Sequence, residues 1–387
     1  MSSTNRPRLG VAVVGHAFMG RVHSHAWRSV DAIFELPARP VLSVLAGRDI
    51  GRTRAAATRL GWADAVDDWR ALLERDDVDL IDICTPGDTH AEIALAALAA
   101  GKHVLCEKPL ANSVAQAQAM AAAAERAARD GVRSMVGFTY RRVPALALAR
   151  DLVARGRLGA IRHVRAQYLQ DWLADPDAPL SWRLDRQRAG SGALGDIGAH
   201  IIDATQFVTG EAVTGVSALL DTFVTERPRP DGPGRGPVTV DDAALFLGRL
   251  SGGGLASFEA SRVATGRKNA LRLELNGTRG SLSFDLEEMN VLWFHDQDER
   301  AETAGFRRIL VTESEHPYAG AWWPPGHGLG YDHAFGNEIA DLVVAIAAGK
   351  DPDPSFADGL AVQRVLAAVQ ASAADAGRWH PIAGARP

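Results

Sequence analysis

The sequence predicts an α/β protein in two domains: a doubly wound parallel sheet over residues 1–138, then an α/β domain over residues 139–387 with a large, mostly antiparallel open sheet. Three observations predict it. The 387 residues exceed what one hydrophobic core organises. Up to Phe138, short apolar and β-branched runs alternate with helical stretches, the pattern of parallel strands joined by crossover helices. Beyond Phe138, strand-like runs follow one another with little helix between them, as antiparallel strands do.

In the first domain the expected strands are Leu9–Val14, Val41–Ala46, Leu80–Cys84, His103–Cys106 and Ser134–Phe138. Ala91–Ala100 and Ser113–Ala128 are rich in alanine and poor in breakers, so both read as helices. The second domain opens with a helix near Pro144–Arg155. Strands are expected at Ile161–Tyr168, Val216–Val224, Ala243–Leu250, Leu255–Ser261, Ala270–Asn276 and Gly280–Asp285. Residues 226–237, ERPRPDGPGRGP, read as a mobile loop between two of these strands. Helices at His333–Ala348 and Phe356–Ala374 close the chain, with Pro352 and Pro354 separating them.

Composition excludes several function classes. Hydrophobic residues at 47% and charged residues at 23% are ordinary for a globular protein. The net charge of −5 comes from intermixed acids and bases, without the basic stripe that a phosphate backbone requires, so no nucleic-acid partner is expected. Arg126, Arg129 and Arg133 read as a solvated helix face. No run of about 18 apolar residues occurs and residues 1–8 are polar, so neither a membrane span nor secretion is expected, and the location predicted is cytoplasmic. Cys84 and Cys106 each close an apolar run outside any metal-ligand spacing; they read as small buried hydrophobes, and no metal is expected. His23 and His25 stand two apart on a predicted helix and face different ways, which suits structural or surface roles rather than ligation.

The first strand runs into Gly15-His16-Ala17-Phe18-Met19-Gly20 and then a helix, the strand–turn–helix context of a dinucleotide fingerprint. Glycines permit the tight turn, and the helix offers its N-terminal amides and partial positive charge to a pyrophosphate. Ala17 replaces the middle glycine and adds a methyl at the closest backbone approach. NAD-specific proteins usually carry an acid at the end of the second strand to accept from the adenosine ribose. Here the residues are Gly47-Arg48-Asp49. A glycine followed by Arg48 leaves room and a guanidinium for a 2′-phosphate, so the cofactor is read as NAD or NADP with a slight tilt to NADP; Asp49 argues the other way.

Glu107-Lys108-Pro109 follows directly on a strand, at the edge where open α/β sheets bind ligands. A lysine there supplies an ammonium that favours an alkoxide, which hydride departure requires. A cis peptide at Pro109 would aim it. In the second domain, residues 190–203 carry Asp196, His200 and Asp203 at i, i+4 and i+7, so two carboxylates and an imidazole share a face if the segment is helical from Leu194. Such a histidine is either a general base beside its carboxylate or a buried structural group capped by Asp196. Gln170, Asp171, Trp172, Trp182 and Arg183 lie just before this segment. Polar groups interleaved with flat aromatic faces suit a carbohydrate, while both tryptophans equally suit a packed interface. The loop Pro317–Tyr331, with Trp322-Trp323-Pro324-Pro325, reads as a lid or a subunit contact.

Taken together, Gly15 to Gly20, Thr85-Pro86, Glu107-Lys108-Pro109, Tyr140-Arg141 and Gly195-Asp196-Ile197-Gly198-Ala199-His200 occur in the order seen in the Gfo/Idh/MocA oxidoreductases, and the sequence resembles that family over nearly its whole length. The stretch from Tyr168 to Arg183, followed by a glycine-rich turn, looks like the levoglucosan dehydrogenase and glycoside 3-dehydrogenase branch, near inositol dehydrogenase. The resemblance implies a Rossmann domain and a homodimer or homotetramer built through the second domain's sheet. It implies oxidation of a secondary alcohol of a sugar, anhydrosugar, glycoside or cyclitol by hydride transfer to nicotinamide, with Lys108 and His200 as the acid–base pair and Asp196 orienting the substrate or the lysine. Cofactor contacts would fall to Gly15, Ala17, Phe18, Met19, Gly20, Arg48, Thr85, Pro86, His90, Glu107, Lys108, Trp182 and Arg183. Substrate contacts would fall to Tyr140, Arg141, Gln170, Asp171, Trp172, Arg183, Asp196, His200 and Tyr331. Two other readings stay open: an NAD-dependent enzyme that oxidises a glycoside transiently so that elimination follows, and a dinucleotide-binding regulator without catalysis. Retention of Lys108, Asp196 and His200 argues against the regulator.

Overall fold

Strand β1 (Arg8–Val14) is apolar along six successive buried residues, as a strand covered on both faces must be. It lies at the centre of a six-stranded parallel sheet in a computed structural model, which describes residues 6–384. Helix α1 (Phe18–Ile33) leads to β2 (Arg39–Ala46), then α2 (Ile50–Leu60), β3 (Asp64–Val66), β4 (Leu80–Ile83), α3 (His90–Ala99), β5 (His103–Glu107), α4 (Val114–Arg129) and β6 (Ser134–Gly137). The strand order β3-β2-β1-β4-β5-β6 reverses direction between β1 and β4, and the loops following both open on the carboxyl edge there. That reversal is where doubly wound sheets bind ligands. Local chemistry fixes the helix starts: the Asp49 carboxylate accepts from Arg52 N at 3.0 Å to begin α2, and Ser113 Oγ accepts from Gln116 N at 3.2 Å to begin α4.

A second unit begins at Tyr140. It holds α5 (Pro144–Ala154), β7 (Ile161–Leu169), the single turn α6 (Arg186–Ala189), a π-helical turn at Leu194–Gly198, and α7 (Ala199–Thr209). There follow β8 (Val213–Asp221), β9 (Glu226–Pro228), β10 (Arg235–Pro237), β11 (Ala243–Leu250), β12 (Leu255–Ser261), β13 (Ala270–Gly277), β14 (Gly280–Asp285), β15 (Val291–Asp296) and β16 (Arg307–Leu310). Nine strands form one sheet, ordered β16-β15-β14-β13-β7-β12-β11-β8 with β17 (His380–Pro381) at the far edge. Its pairs are antiparallel except β7 with β12, so the expected sheet is mixed at its centre. Alternation along β11 turns Ala244, Phe246 and Leu250 inward and leaves Leu245 and Leu247 outward.

Residues 226–237 are not the loose loop expected. They fold into the β9–β10 hairpin because Arg227 turns fully inward and donates to the carbonyls of Leu173 (2.7 Å) and Asp175 (2.6 Å). Strands β3, β15, β16 and β17 were not expected either; β3, β16 and β17 are short, and β15 (VLWFHD) is an apolar run without polar alternation.

The domain boundary also differs from the expectation. Residues 330–360 belong with 6–139, where the sequence placed everything after 138 in the second domain. Helix α8 (Tyr331–Ala347) presents Phe335, Ile339, Leu342 and Val343 to a core that includes Leu9, Val11, Trp27 and Val30, so α8 covers the apolar stripe of α1. Arg133 is nearly buried rather than solvated: its guanidinium donates to the carbonyl of Ala128 and, with a short contact, to that of Gly349 just beyond α8. Helix α9 (Phe356–Ala374) then carries the chain back to the second unit. No helix among the described residues is long and apolar enough to cross a membrane.

Phe335→Ala is expected to destabilise the first unit by about 3–5 kcal/mol, the cost of a large cavity in a closed core. Urea unfolding followed at Trp27 and Trp62, both in that core, measures it; a loss under about 1 kcal/mol would show that α8 does not close the unit.

Candidate functional site

The carboxyl edge of the parallel sheet gathers most of the expected cofactor residues of the first unit. Gly15, with φ +99°, donates its amide to Ala46 O at 2.8 Å and turns the chain into α1, whose cap position is Ala17. A Cβ on Gly20 would lie 2.0 Å from Gly15 O, so only glycine lets the helix start this close to the turn. No side chain caps α1 and no acid stands in its first turn, which leaves its amides and positive end open to an anion. These features fit a dinucleotide pyrophosphate. Phe18 is half exposed and its ring lies 6.4 Å from that of Tyr331, so Tyr331, expected at the substrate, belongs to the first unit beside the glycine turn. Met19 packs against the core. Arg48 is exposed.

Thr85-Pro86 and Lys108-Pro109 follow β4 and β5, and the Lys108–Pro109 peptide is cis as expected. His90 joins these two loops from behind. Its Nε2 lies 2.9 Å from Thr85 O and its Nδ1 3.0 Å from Pro109 O, and its complete burial holds its pKa below the usual imidazole range against the pull of those carbonyls. It is a latch under the edge. Lys108 is half-buried at the edge, and its amide donates to Glu107 Oε2 at 3.0 Å.

Glu107 itself points inward. Its Oε1 meets His23 Nε2 at 3.0 Å, while His23 Nδ1 meets Asp82 Oδ2 at 2.9 Å and Trp27 Nε1 donates to the same Asp82 oxygen at 2.8 Å. His23 is thus a fully buried imidazole between two carboxylates, with Phe335 5.3 Å away, whereas His25 faces the surface beside Asp332. Burial works against the cation, but the charge of Asp82, its hydrogen bond and the nearby Cys84 sulfur outweigh it and raise the His23 pKa well above normal. Burial likewise works against the Glu107 anion; the hydrogen bond and charge of His23, with the charge and amide of Lys108, outweigh it and hold Glu107 below the carboxylate range. Burial drives the Cys84 and Cys106 thiols upward, so both stay protonated and unreactive.

In the second unit a circuit of contacts runs through the expected substrate residues. Asp196 lies in the π-helical turn and His200 in the first turn of α7, and π-turns of this kind often mark functional positions. The Asp241 carboxylate accepts from Gly192 N and Leu194 N, both at 2.7 Å, and so fixes the start of that turn. The ring of His200 lies 4.6 Å from that of Tyr140, whose hydroxyl is 2.6 Å from Tyr168 Oη. Tyr168 donates to Asn269 Oδ1 at 2.7 Å, which leaves its lone pairs for the Tyr140 proton. Gln170 Nε2 donates to the same Asn269 oxygen at 2.7 Å, and Trp172 Nε1 to Gln170 Oε1 at 2.9 Å. The half-exposed Trp172 covers the Arg262 guanidinium at 5.6 Å, and Arg262 Nη1 reaches Asp196 Oδ2 at 3.5 Å, which returns to the starting turn. Glu287 Oε1 accepts from Lys268 N and Asn269 N, both at 3.0 Å, and so places Asn269.

Four expected residues stand apart from this circuit. Asp203 is buried and paired with Arg141, its oxygens 3.0 Å from Nε and 2.5 Å from Nη2, so neither shares the face of Asp196 and His200. Asp171 receives Lys268 Nζ at 2.7 Å and Gly266 N at 3.1 Å, which lower its pKa and tie down the 264–268 turn. Arg183 lies over the ring of its neighbour Trp182 at 4.5 Å. Tyr168, Asn269, Asp241 and Arg262 are the circuit members that sequence reasoning missed. Tyr168 ends a recognisable strand, but the others sit between strands with partners 18 or more residues away, and nothing local marks them.

Residues 9–138 match the family model of the oxidoreductase family with the NAD-binding Rossmann fold, and residues 146–283 that of the GFO/IDH/MocA C-terminal domain. A levoglucosan dehydrogenase of Pseudarthrobacter phenanthrenivorans is 40% identical over 95% of this chain and 96% of its own length. Among solved structures, an oxidoreductase domain protein from Kribbella flavida superimposes with a TM-score of 0.95 at 65% identity, covering 97% of this chain and 99% of that one. A levoglucosan dehydrogenase in complex with NADH and levoglucosan superimposes with a TM-score of 0.93 at 40% identity, covering 97% of this chain and all of that one.

His23→Gln is expected to cost about 3–5 kcal/mol near pH 6, because it leaves two buried carboxylates without their cation. The histidine's pKa is raised on folding, so its contribution is complete below the unfolded value of about 6.5 and fades as pH rises through the folded one. Denaturation at a series of pH values should show the gap between wild type and variant narrowing on the alkaline side; a gap independent of pH would mean the imidazole is neutral.

Proposed function

This chain belongs to the Gfo/Idh/MocA oxidoreductase family and carries its NAD-binding Rossmann domain, and on that premise we propose that it oxidises one secondary alcohol of a sugar or anhydrosugar, with levoglucosan-like substrates first among those to test. The observation that carries the substrate class is the second unit's circuit. It links the half-exposed Trp172 to Asp196 through Arg262, and Gln170 to His200 through Asn269, Tyr168 and Tyr140, a mixture of hydrogen-bonding groups and flat apolar surface of the kind a sugar ring matches.

Bound NAD supplies an oxidised nicotinamide ring that accepts a hydride. In this reading the Lys108 ammonium donates to the alcohol oxygen and favours its alkoxide character. The imidazole of His200 takes the hydroxyl proton, the carbinol C–H bond breaks with its electron pair, and a ketone is left. Tyr140 buttresses the His200 ring. Arg262 Nη1 pairs with Asp196 at 3.5 Å, and Asp196 fixes the substrate hydroxyl.

We also propose a homodimer or homotetramer through the outer face of the nine-stranded sheet. Leu219 and Leu245 pair across β8 and β11 with Leu247 beside them, and these three are 68, 50 and 61% exposed. An apolar cluster of this kind on an open sheet needs cover.

Absorbance of reduced nicotinamide should rise when NAD is mixed with one member of a panel of anhydrosugars, glucosides, hexoses and inositols. Release of an aglycone with no net reduction would point instead to oxidation–elimination. Lys108→Ala should lower kcat by about a hundred- to ten-thousandfold, far more than it weakens NAD binding; unchanged turnover would remove the lysine from the chemistry. For the assembly, Leu219→Arg with Leu247→Arg should give a smaller species by light scattering, and an unaltered mass would place the contact elsewhere.

A further inference from the structure

The end of β2 carries no acid, and the structure shows what stands there instead. A Cβ added to Gly47 would lie 2.7 Å from His16 Cδ2, 2.8 Å from His16 Nε2 and 2.7 Å from Thr53 Oγ1. The place where an aspartate or glutamate would read the adenosine ribose is therefore filled by the imidazole of His16, delivered by the glycine turn. Asp49 does not fill it. Its carboxylate caps α2 through Arg52 N at 3.0 Å and is largely exposed.

The hydrogen bonds around Thr53 orient the imidazole. Thr53 Oγ1 lies 2.6 Å from Asp49 O, a carbonyl that takes the hydroxyl's only proton. His16 Nε2 lies 3.3 Å from the same oxygen, so Nε2–H is the donor of that contact. The edge of the ring turned to the end of β2 is therefore Cδ2 and Nε2, and it occupies the space where a carboxylate ordinarily stands. A 2′-phosphate needs volume there, and the ring takes it up. The opening that Gly47 leaves beside Arg48 in the sequence is thus closed in the fold.

We propose that His16 is the residue that selects the cofactor: its imidazole fills the space beside the adenosine ribose and bars a 2′-phosphate, so the protein prefers NAD to NADP. The proposal rests on the dinucleotide-binding reading of the glycine turn, and binding rather than turnover tests it. Dissociation constants for NAD and NADP can be measured by isothermal titration calorimetry on the full-length wild type and three variants. Wild type should bind NAD more tightly. His16→Ala should weaken NAD about three- to tenfold through the lost packing of the ring, while NADP binds no worse or better, so that the preference narrows or inverts. Gly47→Asp alone should lose both cofactors through the clash, and adding His16→Ala should restore NAD but not NADP, because the new carboxylate takes over the ribose and repels phosphate. The restoration needs a folded double variant, so it keeps the test decisive if Gly47→Asp alone misfolds. Wild type that favours NADP, or an equal effect of His16→Ala on both cofactors, would overturn the assignment of His16. Wild type that binds neither would overturn the dinucleotide reading itself.

Discussion

The first unit is organised around one buried cation. His23 joins α1 to β4 through Asp82 and to β5 through Glu107, and β4 is one of the two strands between which the sheet order reverses. Charges taken from water hold their place only when paired and hydrogen-bonded on every side. Trp27 completes the Asp82 carboxylate and the Lys108 amide completes Glu107, so the network satisfies itself without water. Its outer end is the backbone that carries Lys108. Lys108 is thus anchored through its backbone amide by groups buried from the solvent.

The second unit solves the same problem with a longer circuit of charged and neutral groups and a turn of unusual pitch. Asp241 caps the π-helical turn, Arg262 steadies Asp196, and a relay of hydroxyls and amides from Tyr140 to Trp172 fixes the opposite wall. Each member has one conformation that satisfies its neighbours, because Asn269 offers a single oxygen to two donors. Such a network specifies geometry more than it adds stability.

The sequence made the parallel sheet legible because β-branched runs, alanine-rich helices and the glycine turn are all local signals. Lys108, Asp196 and His200 stood out in the sequence because their motifs follow one another in a recognisable order. What escaped was whatever depends on distant pairing. Asp203 had the right helical spacing but the wrong environment, since Arg141 draws it into the interior. Arg227 looked like part of a solvated Pro/Gly loop, yet carbonyls some fifty residues away receive it. Gly47 read as space, although a residue 31 positions earlier fills it. A one-dimensional pattern reports which side chain is missing; it does not report which other side chain has moved in.

The path of the chain has a consequence for biosynthesis. Its first unit leaves at residue 139 and resumes at 330, and the second extends past 361, so neither is contiguous. While a ribosome is still translating the nine-stranded sheet, the apolar stripe of α1 has no helix over it, since Phe335 and Ile339 do not yet exist. The nascent protein must therefore keep that surface wet, or lend it to a chaperone, for nearly two hundred codons. A fragment cut at the end of the parallel sheet would inherit the same greasy flank permanently.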